Sequence, residues 1–250
     1  MKNSVARISI AVLALTTVGA TPAGSTAQRL VYNFTYSANQ NTTARDSANP
    51  AEDYSNASGG LAAGNGSSSY TGSLSDKGTM LVQVLSVQQD GGLVVTIEEN
   101  GEQTRRAPAA TCVVYGNTRV ICDPNKTVYT EEYTLLRFLG KNFIDASNLD
   151  AHRHWQVVQD SAGMNVTADY VLGPTTSSDV TVTEARKIRQ AGAGSLTTDA
   201  QTKVGYDMSR SVPTSIDEYV TQRHDNGVQG TSTTIYQTTL GLLSDTGVEP

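Results

Sequence analysis

Alternation of apolar and polar residues through the C-terminal half of this sequence constrains its fold more than any other feature. In the segment Ser195–Met208, Leu196, Val204 and Tyr206 share one parity, while Asp199 and Lys203 have the other. Successive side chains of a strand point to opposite faces, so this pattern predicts a long strand that is buried on one side only. The same pattern predicts strands near His154–Gln159, Met164–Leu172, Asp179–Gln190, Thr214–His224 and Ser232–Leu243.

Short breaks rich in Gly, Pro and Asn separate these strands, which favours antiparallel neighbours over βαβ units. Earlier in the chain, Leu30–Ser37, Thr79–Gln88 and Leu93–Glu99 also alternate. One helix is predicted, with Thr130 as its cap, acidic residues in its first turn and Gly140 after its end. We therefore predict a mainly β fold: an antiparallel meander that forms a curled sheet or half-open barrel, with one apolar helix packed on it.

The predicted architecture resembles the open or half-open barrels of envelope proteins that carry lipids or lipoproteins. The likeness lies in the arrangement of strands and helix, and no sequence motif accompanies it. It implies a concave apolar surface on which a ligand is held.

The N-terminus has the features of a secretory signal peptide. Lys2 and Arg7 precede an apolar run over residues 8–15, and small residues follow it up to Ala27. Residues 1–27 are therefore predicted to be removed, with cleavage after Ala20 as the alternative. Residues 28–250 are predicted to form a single mainly β domain, with a flexible loop rich in Asn, Ser and Gly at about 38–69.

The two cysteines, Cys112 and Cys122, are predicted to form a structural disulfide, since an isolated pair in an exported protein is usually oxidised. The residues between them indicate a hairpin. If its turn centres near Asn117, the cysteines face each other, whereas a two-residue loop at Gly116 and Asn117 leaves them one place out of register. Loop entropy gives such a bridge a stabilising effect of about 2–3 kcal/mol.

Charge and hydropathy limit the partners of the chain. The formal net charge is −6, and removal of the signal peptide makes it more negative. An acidic protein is not attracted to nucleic acid, which is excluded as a partner. After the signal peptide no apolar run is long enough for a transmembrane helix, and none is predicted in the mature chain.

The residues that most resemble a set of metal ligands are His152 and His154, which would share a strand face near Asp150. Two histidines are too few to predict a metal, and they are interpreted as exposed residues beside a Trp155 packed at the edge of the core. His224 and Asp225 have the residue types of a serine hydrolase, but no nucleophile elbow accompanies them, and Asp225 is better explained by a turn. No catalytic residue and no cofactor are predicted.

Three functions follow from this pattern. The first is an exported, non-catalytic envelope protein, periplasmic or extracellular, that binds a hydrophobic or amphipathic ligand such as a lipid. The second is a structural or adhesive surface protein with a filled core, because the same apolar residues would serve either role. The third is an exported hydrolase. Under the first hypothesis the ligand-binding residues are Leu135, Phe138, Leu196, Val204, Tyr206, Ile216 and Val220.

Overall fold

The fold was described from a computed structural model, which defines residues 28–45, 67–102, 106–116, 118–140, 144, 153–161, 163–176, 178–191, 194–225, 227 and 230–246. The predicted signal peptide lies outside these residues. The elements, in chain order, are β1 (Arg29–Arg45), β2 (Ser67–Val87), β3 (Leu93–Gly101), β4 (Arg106–Val114), β5 (Val120–Cys122), α1 (Thr130–Arg137), β6 (His154–Ser161), β7 (Met164–Thr176), β8 (Asp179–Gln190), β9 (Ser195–Asp207), β10 (Val212–Asp225) and β11 (Gly230–Thr246).

All eleven strands belong to one antiparallel sheet, in the order β5-β4-β3-β2-β1-β11-β10-β9-β8-β7-β6. Consecutive strands pair within β1–β5 and within β6–β11, and the pairing of β1 with β11 joins these two halves of the molecule. The sheet is not closed into a barrel, and β5 and β6 are its edges. The predicted mainly β fold, a curled antiparallel meander, is confirmed, and the described part of the chain contains the one predicted helix.

The first strand is longer than its sequence predicts. Both ends of the predicted loop at about 38–69 are strand, because β1 continues to Arg45 and β2 begins at Ser67. These small polar residues are held by backbone pairing, since β1 has β11 on one side and β2 on the other over almost its whole length. The prediction of a loop was therefore wrong at its two ends, and residues 46–66 lie outside the described residues.

The predicted disulfide is confirmed. Cys112 and Cys122 are bonded and lie opposite each other in the pairing of β4 with β5. The connecting turn has hydrogen bonds from Tyr115 N–H to the Arg119 carbonyl and from Thr118 N–H to the Tyr115 carbonyl. Of the two turn geometries considered, this register is the one centred near residue 117. The bridge fixes the three-residue edge strand β5 to the sheet.

Removal of the disulfide is expected to destabilise the protein by about 2–3 kcal/mol, since a loop of this length gains that much entropy in the unfolded chain. The Cys112→Ala, Cys122→Ala double variant should show this loss in urea unfolding without a reductant. Dithiothreitol should lower the stability of the wild-type protein by a similar amount and leave the double variant unchanged. A reductant effect that persists in the double variant would show that the bridge is not its cause.

The helix α1 packs on one face of the sheet, which is called the inner face here. Its N-cap is Tyr129, one residue before the predicted cap Thr130, and the Tyr129 backbone N–H donates to the Glu132 carboxylate at 2.8 Å. Gly140, with φ +94°, follows its end as predicted. Leu135, Leu136 and Phe138 are fully buried against the sheet. Within the described ranges, no helix has both the length and the hydrophobicity to cross a bilayer.

Candidate functional site

The inner face is divided into zones by cross-strand rows of side chains. One row is apolar and is buried beneath α1: Leu172, Val182, Val204, Ile216, Leu240 and Phe34. The adjacent row is called the polar row, and its members are also buried: Tyr170, Glu184, Thr202, Glu218, Thr238, Tyr36 and Asp76. Beyond the polar row, Ala200 and Val220 are still buried, and among the described residues the face then widens into a cleft.

A buried ionic cluster joins α1 to the polar row. The Arg137 guanidinium donates from Nη1 to both oxygens of Glu184, at 2.8 and 2.9 Å, and from Nη2 to Glu218 Oε1 at 2.6 Å. All three side chains are at most 1% exposed. Because neither glutamate could be buried alone at this depth, the helix and the sheet depend on each other here.

Hydroxyl groups form further hydrogen bonds with the two carboxylates. Tyr170 donates to Glu184 at 2.8 Å, Thr202 Oγ1 lies 2.9 Å from the same carboxylate, and Thr134 Oγ1 lies 2.5 Å from Glu218 Oε2. Burial alone would raise the pKa of Glu184. The positive charges of Arg137 and Arg186, with these hydrogen bonds, outweigh it, so the pKa of Glu184 is lowered below its usual value.

Sequence reasoning missed this cluster, although a signal was present. Glu184 follows Val180 and Val182 on the buried parity of β8, and Glu218 stands between Ile216 and Val220 on that of β10. A carboxylate at a position that the alternation assigns to the interior indicates a buried partner. The partner is a basic residue on α1, and nothing local in the sequence identifies it.

A cleft of about 700 Å³ lies on the inner face beyond the polar row. It exists because the strands are much longer than the helix: the 17 residues of β11 extend over ~55 Å, whereas the eight residues of α1 cover ~12 Å. The helix therefore fills only one part of the curled sheet. The walls of the cleft are formed by the ends of β1, β2 and β8 to β11 that lie beyond the reach of α1.

The lining of the cleft combines aromatic surface with uncharged hydrogen-bonding groups. Tyr36 and Tyr236 form its floor, with ring centroids 6.3 Å apart, and the Tyr236 hydroxyl donates to Gln222 at 3.0 Å. Tyr70 and Leu74 are exposed at its rim. The described lining residues include no Asp, Glu, Lys or Arg: Tyr36, Ala38, Gln40, Tyr70, Gly72, Ser73, Leu74, Gln190, Gly194, Leu196, Gln222, His224, Ser232, Thr234 and Tyr236.

The residues predicted to bind a ligand divide between the core and the cleft. Leu196 lines the cleft. The other six are at most 5% exposed and fill the interior: Leu135, Phe138, Val204, Tyr206, Ile216 and Val220. The Tyr206 hydroxyl donates to the Gly140 carbonyl at 2.7 Å, which ties β9 to the end of the helix.

The residues considered for metal binding and hydrolysis are separated in the structure. His154 Nε2 lies 3.4 Å from Asp169 Oδ1, in a partly exposed pair, while His152 and Asp150 lie outside the described residues. No cluster of three or more metal-ligating side chains occurs among the described residues. His224 lines the cleft opposite Ser232, whereas the Asp225 carboxylate accepts from the Gly227 N–H in a turn.

A second cavity of about 330 Å³ lies at the opposite end of the inner face and is mainly apolar. Its lining includes Leu30, Leu93, Val114 and Val212. Arg210, which contributes to the wall, is paired with Asp207 at 2.6 Å and with Asp245 at 3.4 Å. This cavity is less than half the size of the cleft.

Comparison with known proteins adds no function to this geometry. No protein-family model matches the chain, and a search of curated proteins finds no similar sequence.

Proposed function

We propose that this protein is an exported, non-catalytic binding protein that holds an amphipathic small molecule in the cleft. The observation that carries the proposal is the lining: two tyrosine rings form the floor, uncharged polar groups form the walls and apolar side chains form the rim. A volume of about 700 Å³ is within the usual range for small-molecule sites. Aromatic rings offer apolar contact area, and the amide and hydroxyl groups bind a polar head.

Two further observations support export. A disulfide persists in oxidising compartments, and this chain has one in addition to the signal-like N-terminus. The periplasm or the cell exterior is the proposed location. An amphipathic ligand is favoured over a wholly hydrophobic one because amide and hydroxyl groups as well as aromatic rings line the cleft.

Replacement of Tyr236 by alanine is expected to weaken the binding of a fluorescent fatty-acid probe about tenfold, because one buried ring face and one fixed hydroxyl are lost. The matched control is Tyr219→Ala on the opposite face of β10, where the side chain is exposed. Fluorescence titration of the wild type and both variants measures the effect. Equal affinities in all three would show that the probe does not enter the cleft.

The second candidate function is a structural or adhesive surface protein, and the filled interior is the observation that favours it. Native mass spectrometry of the purified mature protein separates the two. A binding protein is expected to retain a small-molecule adduct or to acquire one from added amphiphile. A clean mass, combined with no probe binding, would rule against the first proposal and in favour of the second.

A further inference from the structure

Arg186 lies on the inner face, at the boundary between the polar row and the cleft. It is opposite Ala200 on β9, and the same cross-strand row continues through Val220 to Tyr236, which is on the floor of the cleft. Four residues further along β8 on the same face, Gln190 lines the cleft wall. Arg186 therefore lies just behind the lining of the cleft, in a row whose other end, from Tyr236 onward, forms the inner end of the cleft.

The guanidinium of Arg186 extends across β9 towards β10. Its Nη2 atom lies 3.6 Å from Glu218 Oε1, two strands away from its own backbone. The small side chain of Ala200 beneath it leaves room for this path. The charged end is therefore near the middle of the inner face, one strand from Tyr236.

This guanidinium is poorly satisfied for its depth. Its side chain is 14% exposed, and its contact with Glu218 is too long for a hydrogen bond. The buried Nε has no hydrogen-bond partner among the described residues. Both glutamates of the cluster are already engaged by Arg137 at 2.6 to 2.9 Å. Burial and the nearby charge of Arg137 lower the pKa of Arg186, and they outweigh the opposite effect of Glu184 and Glu218.

We infer that the ligand of the cleft carries an oxyanion, a carboxylate or a phosphate, that binds Arg186. The inference rests on the proposed function and adds the ligand class: an anionic amphiphile, with its chain along Tyr36, Tyr236 and Leu74 and its head at the inner end. A guanidinium binds such oxyanions through paired hydrogen bonds, and an anion would also offset the repulsion between Arg186 and Arg137. The lining of the cleft is uncharged, and Glu218, the carboxylate nearest to Arg186, is already paired with Arg137 at 2.6 Å.

The test compares decanoate, decyl phosphate and 1-decanol by displacement of a neutral fluorescent amphiphile at pH 8. Both anions are expected to bind the wild-type protein at least tenfold more tightly than the alcohol, because only they form charge-assisted hydrogen bonds with the guanidinium. In Arg186→Gln the preference should vanish while the affinity for 1-decanol is kept. Arg189→Gln, on the outer face of the same strand, is the matched control and should behave as wild type.

The outcomes distinguish the two proposals. If none of the three compounds displaces the probe, and the probe itself does not bind, the proposed function fails. If 1-decanol binds the wild type as tightly as the anions, the cleft is a site for amphiphiles and the role of Arg186 is refuted. A preference for anions that survives in Arg186→Gln refutes it as well.

Two further measurements use anions without a chain and a second variant at position 186. Inorganic phosphate and acetate, which lack the chain, are expected to compete at least a hundredfold more weakly; equal competition would overturn the amphiphile class. Arg137 keeps both glutamates paired, so Arg186→Gln is expected to fold, which its melting curve checks. If it does not, Arg186→Lys, which retains the charge without the paired donors, should reduce the anion preference without abolishing it, and an unchanged preference would contradict the inference.

Discussion

Replacement of Arg137 by methionine is expected to lower the free energy of unfolding by about 3–5 kcal/mol at pH 7. Glu184 and Glu218 would then remain in the interior without the guanidinium that binds three of their oxygens. Arg186, at 3.6 Å from Glu218, replaces only a part of that interaction. Urea unfolding followed by circular dichroism measures the loss.

The same substitution is expected to change the pH dependence of stability. In the wild type the lowered pKa of Glu184 stabilises the fold above the usual carboxyl pKa of 4.5, and this contribution disappears as the pH falls through the lower value. In Arg137→Met burial dominates and the pKa of Glu184 is raised, so the folded state binds the proton more tightly. The stability gap between variant and wild type should therefore narrow between pH 7 and pH 5.

Two control variants show whether the loss of stability in Arg137→Met comes from the unpaired glutamates. Arg189→Met, on the exposed face of β8, should change stability by less than about 0.5 kcal/mol. The triple variant Arg137→Met, Glu184→Gln, Glu218→Gln removes all three charges and should recover part of the loss, because no carboxylate is left unpaired. A loss below about 1 kcal/mol in Arg137→Met alone would contradict a buried ionic cluster.

The second large effect is expected from Leu135→Ala, which should lower the free energy of unfolding by about 2–5 kcal/mol. Leu135 is fully buried between α1 and the sheet, in a densely filled part of the core. The matched substitution is Leu196→Ala: the chemistry is the same, but this residue is only half-buried and lines the cleft. It should cost less than about 1 kcal/mol and should weaken binding of the fatty-acid probe instead.

Chemical unfolding and probe titration of the two leucine variants together test the division of the inner face into core and cleft. Comparable losses of stability would show that Leu196 also belongs to the packed core. Weakened probe binding in Leu135→Ala, with stability unchanged, would show that the space beneath α1 is the binding site.

The strands of the C-terminal half could be predicted closely from sequence because each of them buries one face only. Asp179–Gln190 was predicted with the bounds that β8 has, and the prediction for β9 differs by one residue. Apolar residues at every second position indicate which face of a strand is buried, so the strand can be recognised from its side chains alone. Where burial did not decide the structure, as in residues 38–45 of β1, the sequence favoured a loop although backbone pairing makes a strand.

The cleft could not be predicted in the same way, since its walls come from six strands and its depth from the shortness of α1. Of the seven residues proposed as ligand-binding, Leu196 alone lines it, because apolar parity does not distinguish a packed core from an open surface. Its tyrosines were visible in the sequence. Their convergence depends on the pairing of β1 with β11, which no local pattern encodes.

That pairing also has a kinetic consequence. The seam between the two halves brings together residues as distant as Gln28 and Asp245, 217 positions apart, and loop-closure entropy opposes so remote an encounter. Until β11 has been synthesised and has docked, β1 has an unpaired edge of 17 residues, with aromatic side chains that are later covered. Such an edge is a template for association between chains. The chain is therefore most prone to aggregate before β1 has paired with β11.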